Sequence, residues 1–170
     1  MKRREAIRNV ILVSAGFTLL PSCDFETFKV YENVPLEKEH YQLIRLLQNI
    51  ILPKKEIQIK SPETPLNFSL TVLNDCFKME DIQEYLAGLN DFQLYLTEKK
   101  QKPFKKLEPT EQLDFLTDAL EGEDTTDALK YFIETNKELA VKYFTQSEYF
   151  LTTHLEFEFV PGRYIGCATV

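Results

Sequence analysis

The sequence predicts a mainly α-helical protein, a compact single domain of about five helices with an extended C-terminal tail. Three observations lead there. Apolar residues recur at 3.6-residue spacing through most of the chain after residue 36. Prolines at 35, 53 and 109 and a glycine at 122 mark the edges of those periodic stretches. The length of 170 residues, 44% of them hydrophobic, suits one domain with a core of its own.

The N-terminus has the layout of an export signal. Lys2, Arg3, Arg4 and Arg8 stand against Glu5, and the mainly apolar, uncharged NVILVSAGFTLL follows. A basic head before a short apolar run is the secretory pattern, and the run is too short to span a bilayer as a helix. A buried N-terminal helix is the competing reading. The crowding of basic residues ahead of the run, and its stop at Pro21-Ser22-Cys23, speak against it. LLPSC at 19–23 looks like a bacterial lipobox, in which Cys23 becomes the lipidated first residue after cleavage. Arg3-Arg4 ahead of a mildly hydrophobic, Gly-containing run resembles a twin-arginine signal, with general secretion as the other route. The expected organisation is a cleaved export signal over 1–22, a tether over 23–35 after the lipidated cysteine, and a helical domain over 36–170. The expected location is the periplasmic side of a membrane, with the protein held there by its lipid anchor. Cleavage before Cys23 leaves 148 residues and moves the formal charge from −7 to −10, since four Lys/Arg and one acidic residue depart.

The helical pattern begins at LEKEHYQLIRLLQNIILP, with apolar residues at 36, 43, 44, 47, 50 and 51 and Pro53 as the stop. KKEIQIKSPETP, 54–65, carries two prolines and mixed charge and is expected to be a loop. LNFSLTVLNDCF, 66–77, places Leu66, Leu70, Leu73 and Phe77 on one stripe. MEDIQEYLAGLNDFQLYLTEK repeats apolar residues at 82, 85, 86, 89, 92 and 96, with Glu80 and Asp81 in the first turn, where the helix dipole favours them. Gly88 inside this helix costs up to about 1 kcal/mol relative to Ala unless a neighbouring helix packs close there. KKQKPFKKLEP, 99–109, is a lysine-rich break and the one positive patch after the signal; a solvated loop is the expected state, an anionic docking site the alternative. Thr110 is the expected N-cap of EQLDFLTDALEG, closed by Gly122. Asp124, Thr125 and Thr126 are the candidate caps of a long helix with apolar residues at 129, 132, 133, 140, 143 and 144. Asn136 falls within that stripe and is expected to be hydrogen-bonded rather than catalytic. In LEFEF, Leu155, Phe157 and Phe159 alternate with Glu156 and Glu158, which predicts an extended segment with one face on the protein.

The net charge argues against nucleic acid, which calls for a basic footprint. Two histidines, His40 and His154, lie far apart without a constellation of further ligands near either. Zinc, haem, dinucleotide, P-loop and nucleophile-elbow motifs do not occur, and five glycines leave little for phosphate-cradling loops. The residues therefore propose no active site, metal site or cofactor site in this chain. With Cys23 assigned to lipid, Cys76 and Cys167 remain, in a compartment where pairing is favoured. They can bridge each other, closing a loop of roughly 90 residues worth a few kcal/mol. Otherwise Cys167 pairs with a partner subunit, or Cys76 stays a buried free thiol. Pro161-Gly162 is a turn that can present Arg163 and Tyr164, and Gly166-Cys167 follow it.

Taken together, these residues resemble the gluconate 2-dehydrogenase subunit 3 family. The stretches that carry the resemblance are IILP at 50–53, LNDC at 73–76, YLAGLNDF at 85–92, YFTQSE at 143–148 and, most specific, VPGRYIGC at 160–167. The resemblance implies a small, non-catalytic, helical subunit that binds a large FAD-containing dehydrogenase subunit of the glucose–methanol–choline type. A cytochrome c subunit carrying haem often completes such complexes. The small subunit itself holds neither flavin nor haem; it assists maturation and supplies the export signal. Pro161, Gly162, Arg163, Tyr164, Gly166 and Cys167 are then candidates for partner binding, because an arginine and an aromatic beside a turn are frequent interface anchors. A stand-alone helical lipoprotein with a binding or envelope-structural role is the alternative. Cys23→Ala is expected to release the protein into the soluble fraction of a strain that lacks the partner; membrane attachment unchanged on fractionation would refute lipidation at this residue.

Overall fold

The computed structural model describes residues 29–52, 59, 61–155, 157, 158 and 162. Among the described residues six α-helices succeed one another: α1 Lys38–Ile51, α2 Pro65–Cys76, α3 Met79–Lys100, α4 Pro109–Glu121, α5 Asp127–Thr145 and α6 Glu148–His154. A 3₁₀ turn, Phe104–Lys106, sits between α3 and α4, and no strand occurs among the described residues. The helix α5 packs against each of the other five, so the fold is arranged around it.

Most of these helices begin where a side chain partners an N–H group at the start; α3, after Lys78, relies on acidic residues in its first turn instead. At α1 the Nδ1 of His40 accepts from the Glu37 N–H at 3.1 Å. At α2 the Thr64 hydroxyl accepts from the Asn67 N–H at 3.2 Å, with Pro65 as the first helical residue. Thr126 caps α5 by accepting from the Leu129 N–H at 3.1 Å, and Ser147 caps α6 by accepting from the Phe150 N–H at 3.2 Å. The expected cap of α4 is displaced: Thr110 lies inside the helix and Glu108 is the N-cap. Pro109 explains the shift, because its fixed φ suits the first helical position, and Glu111 accepts from the Glu108 N–H at 3.0 Å. Acidic residues open α3 and lysines close it, complementing the dipole, and the helix ends at Gln101 in the left-handed region with φ of 50°.

The stripes predicted from periodicity form one core. Ile44 and Leu47 of α1, Leu66, Leu70 and Leu73 of α2, Ile82, Tyr85, Leu89 and Phe92 of α3 and Leu129, Phe132 and Ile133 of α5 are all buried in it. Phe92 lies at its aromatic centre, with ring centroids 5.5 Å from Phe104, 5.3 Å from Phe115 and 5.7 Å from Phe132, all edge-on. Such pairs contribute about 0.5–1.5 kcal/mol each beyond their burial. A smaller cluster of Leu52, Ala140 and Tyr143 closes the far end of α5.

The pair α3 and α5 runs antiparallel and close. Tyr85 meets Asn136, Gly88 meets Ala128 and Phe132, and Asp91 meets Thr126, so positions rise on one helix as they fall on the other. At Gly88 an added Cβ would collide with the carbonyl oxygen of Ala128, and would stand 2.6 Å from the Ala128 carbonyl carbon and 2.8 Å from the Phe132 Cβ. The neighbouring helix packs against this glycine, the circumstance under which a mid-helix glycine was expected to be retained.

Three expectations are revised. The described part of 23–35 is more than a tether: Tyr31 and Val34 are buried in the main core. Its hydrogen bonds tie it along α2, through Tyr31 to the Asn67 carbonyl at 3.2 Å and through Asn33 to both the side chain and the carbonyl of Asn74 at 2.9 and 3.0 Å. The lysine-rich break is not a solvated loop throughout, because Phe104 and Leu107 are buried within the core. A helix that the sequence analysis did not assign, Glu148–His154, precedes LEFEF; the described residues of LEFEF are not helical, but Leu155 and Phe157 do not bury a face, being 60% and 47% exposed. Phe159, and residues 54–58 and 60 of the expected loop 54–65, lie outside the described residues.

Gly88→Ala is expected to lower stability by about 1–3 kcal/mol, the range for overpacking, despite alanine's better helix propensity. Thermal unfolding by circular dichroism measures it; a melting temperature at or above that of the parent would show that α3 and α5 part without penalty.

Candidate partner-docking surface

The polar groups at the centre of the fold hold helices together. The Tyr85 hydroxyl donates to the Asn136 side-chain oxygen at 3.3 Å, and the Asn136 amide donates to the Phe132 carbonyl at 2.8 Å. Asn136 is thus hydrogen-bonded, as its place in an apolar stripe predicts. Burial pushes the Tyr85 phenol well above its ordinary value, only partly offset by the Asn136 hydrogen bond, so it stays protonated at any physiological pH. On α1 and α2, the Gln48 amide donates to the Ser69 hydroxyl at 2.8 Å, while Gln48 Oε1 has no partner among the described residues. Among those residues no group of three or more His, Cys, Asp or Glu is placed to hold a metal ion. His40 serves the start of α1, and His154 ends α6 against Phe150, with centroids 5.1 Å apart.

The residues singled out for assembly divide. Arg3, Arg4 and Cys23 at one end, and Pro161, Arg163, Tyr164, Gly166 and Cys167 at the other, lie outside the described residues. Gly162 is described and exposed, and a Cβ built on it meets nothing within 4 Å. Cys76 is the last residue of α2 and is an exposed free thiol, which removes the buried-thiol alternative.

The surface that stands out is built by the end of α5 and by α6. Ser147 makes the corner: its hydroxyl donates to the Phe144 carbonyl at 2.6 Å while accepting the Phe150 N–H. Across the corner the Phe144 ring meets Phe150 edge-on at 5.1 Å and Tyr149 at 6.4 Å. No residue of α6 is fully buried. Leu151 and Phe157, with Gln146, Glu148 and Thr152, line a hollow of about 440 Å³. The Phe157 N–H donates to the Leu151 carbonyl at 3.0 Å, which turns the chain back over that hollow. Tyr149, Leu155 and Phe157 are exposed beside it. Large apolar side chains exposed on a short, weakly buried helix and on the residues that follow it are the character of a protein-binding surface. Sequence reasoning missed this helix, although Ser147-Glu148 has the cap-then-acid pattern of a helix start. A smaller hollow of about 150 Å³ lies between α3 and the start of α5, lined in part by Asp91, Glu98 and Asp124.

No helix among the described residues is long and apolar enough to cross a membrane. A family model described as Gluconate 2-dehydrogenase subunit 3 matches residues 38–162, well over half of the chain. No curated protein and no solved structure matches it.

Because the ionised Tyr85 phenolate is disfavoured only in the folded state, its contribution to stability is intact below the unfolded tyrosine value near 10 and is lost as pH rises above it. Tyr85→Phe is therefore expected to unfold less steeply than the parent between pH 10 and 12 (about that range by the same linkage). Identical pH slopes in denaturant titrations would show that this phenol does not drive alkaline unfolding.

Proposed function

The chain belongs to the gluconate 2-dehydrogenase subunit 3 family, and from that premise we propose that it is the accessory subunit of a membrane-associated periplasmic dehydrogenase. Its partner is a large FAD-containing subunit of the glucose–methanol–choline type that oxidises a sugar, a polyol or gluconate. This chain assists the maturation and export of that partner and carries out no chemistry itself. A cytochrome c subunit carrying haem is the expected third member. Flavin and haem belong to the other subunits.

The observation that carries the proposal is the family match over 38–162, which includes the helices that build the exposed corner of α5 and α6. That corner supports it physically. Tyr149, Leu155 and Phe157 present apolar area shortly before VPGRYIGC in the sequence, the stretch where the family resemblance is most specific. An accessory subunit needs a docking surface and a rigid body behind it. The buried Phe92–Phe132–Phe115 cluster supplies the rigidity. The N-terminal basic head, apolar run and LLPSC support export and lipid anchoring at Cys23.

Affinity purification of the tagged chain from its native host is expected to bring down a flavin-containing protein, visible by its absorption near 450 nm (approximate, an ordinary flavin band). Leu155→Ser combined with Phe157→Ser, and separately Arg163→Ala, are expected to reduce that recovery at least about tenfold, as loss of interface anchors does, with little change in melting temperature. Recovery of no flavoprotein by the parent chain sinks the proposal and favours a stand-alone lipoprotein. Full recovery by all three substitutions would move the interface elsewhere.

A further inference from the structure

We infer that the lysine-rich turn between α3 and α4 is a docking surface for an anionic lipid bilayer. Between Glu98 and Glu108 the chain carries Lys99, Lys100, Lys102, Lys105 and Lys106 and no acidic residue. All but the half-buried Lys100 are exposed. Among the described residues none of the five is ion-paired, although the chain as a whole is acidic. Lys99 instead lies over the Tyr95 ring, 5.1 Å being the matching distance at Lys29 on Tyr31 and 5.5 Å here.

The turn is held from beneath, which separates it from an ordinary charged loop. Phe104 and Leu107 are buried, and the Phe104 ring packs on Phe92 and Phe115. The Gln112 amide donates to the Phe104 carbonyl at 2.9 Å, and the 3₁₀ turn closes with the Lys106 N–H on the Pro103 carbonyl at 2.8 Å. The backbone is already ordered before any ligand arrives, so binding costs little further chain entropy. Lys102, Lys105 and Lys106 are therefore displayed from a fixed platform.

The residue type points to headgroups rather than to one acidic protein. All five cations are lysines and none is arginine. An ammonium attracts phosphate as a point charge without fixed geometry, whereas a guanidinium fork recognises one carboxylate bidentately. A bilayer offers mobile phosphates that adapt to the lysines. Each lysine held near an anionic leaflet strengthens binding by roughly fivefold. The acidic remainder of the protein is repelled by the same headgroups, and at a Debye length of about 8 Å that repulsion is screened for charges further from the membrane than the turn. The lysine turn then faces the membrane and the other surfaces face away.

This inference takes from the proposed function only the premise of work at a membrane face. Loss of vesicle binding leaves flavoprotein recovery unaffected, and absence of the flavoprotein leaves vesicle binding unaffected, so the two fail separately. The test is co-sedimentation of the purified full chain with phosphatidylglycerol-containing vesicles and with phosphatidylcholine vesicles; the ratio between the two removes any contribution of the apolar N-terminal run. Lys102→Gln/Lys105→Gln/Lys106→Gln is expected to lower that ratio by between about tenfold and a hundredfold. The arginine versions of the same three are expected to keep it. Lys130→Gln/Lys137→Gln/Lys142→Gln on α5 makes the same change in net charge and is expected to leave it nearly unchanged. Equal binding of the parent to both vesicles overturns the inference, as does an equal loss in the two glutamine triples, which would assign the effect to net charge. Loss of flavoprotein recovery in the turn triple with its vesicle ratio intact also overturns it, and makes the turn a contact for an acidic protein.

Discussion

The close approach of α3 and α5 at Gly88 is the constraint on which the rest of this fold depends. With no side chain at that position, the backbone of α5 at Ala128 comes against α3 where a methyl group would collide. The approach brings Tyr85 within hydrogen-bond reach of Asn136 one turn earlier and Asp91 to the Thr126 hydroxyl one turn later. It also brings Phe132 against Tyr85 and Phe92, with centroids 5.0 and 5.7 Å apart. A wider separation would weaken all of these together, since ring contacts and hydrogen bonds fall off steeply over one ångström. The helix-propensity cost of Gly88 is thus offset by packing that an alanine would forbid.

Because α5 lies against every other helix, rigidity established at that contact reaches the whole domain. The features suited to interaction lie at its margins. At one end the chain turns at Ser147 into α6, a short helix that leaves Tyr149 exposed and is followed by the exposed Leu155 and Phe157. Between α3 and α4, a buried phenylalanine and leucine hold out a row of lysines. Both are surfaces presented by a fixed body, which is the physical requirement for specific association at low entropic cost. The interior polar groups, by contrast, serve packing: Asn136 satisfies a tyrosine and a carbonyl, and Gln48 reaches across to Ser69.

Much of the helical body was legible in the sequence because its signals are local. The stripes at Leu66, Leu70 and Leu73, or at Ile82, Tyr85, Leu89 and Phe92, require only a 3.6-residue period to be seen. The Thr126 cap and the Gly122 stop are likewise short-range. Misreadings arose where two local signals competed. At Pro109-Thr110 a good capping residue followed a proline whose own preference for the first helical position moved the cap back to Glu108. At LEFEF an alternating pattern suggested one face laid on the protein, yet Leu155 and Phe157 are exposed. Of the candidate assembly residues, Cys76 and Gly162 are placed and exposed, while the remainder of the tail and the N-terminal motifs lie outside the described residues.

The sequence by itself determined the helical class, the order of the main helices, the residues of their buried faces and the family resemblance, since periodicity, caps and short motifs are properties of neighbouring residues. Only the tertiary structure decided which helix is central, that Gly88 is a point of contact, and that Tyr31, Val34, Phe104 and Leu107 belong to the core. Those facts depend on residues far apart in the chain meeting in space. A lone aromatic in a lysine-rich stretch carries no period of its own, and its burial follows only from the cavity that Phe92 and Phe115 leave for it.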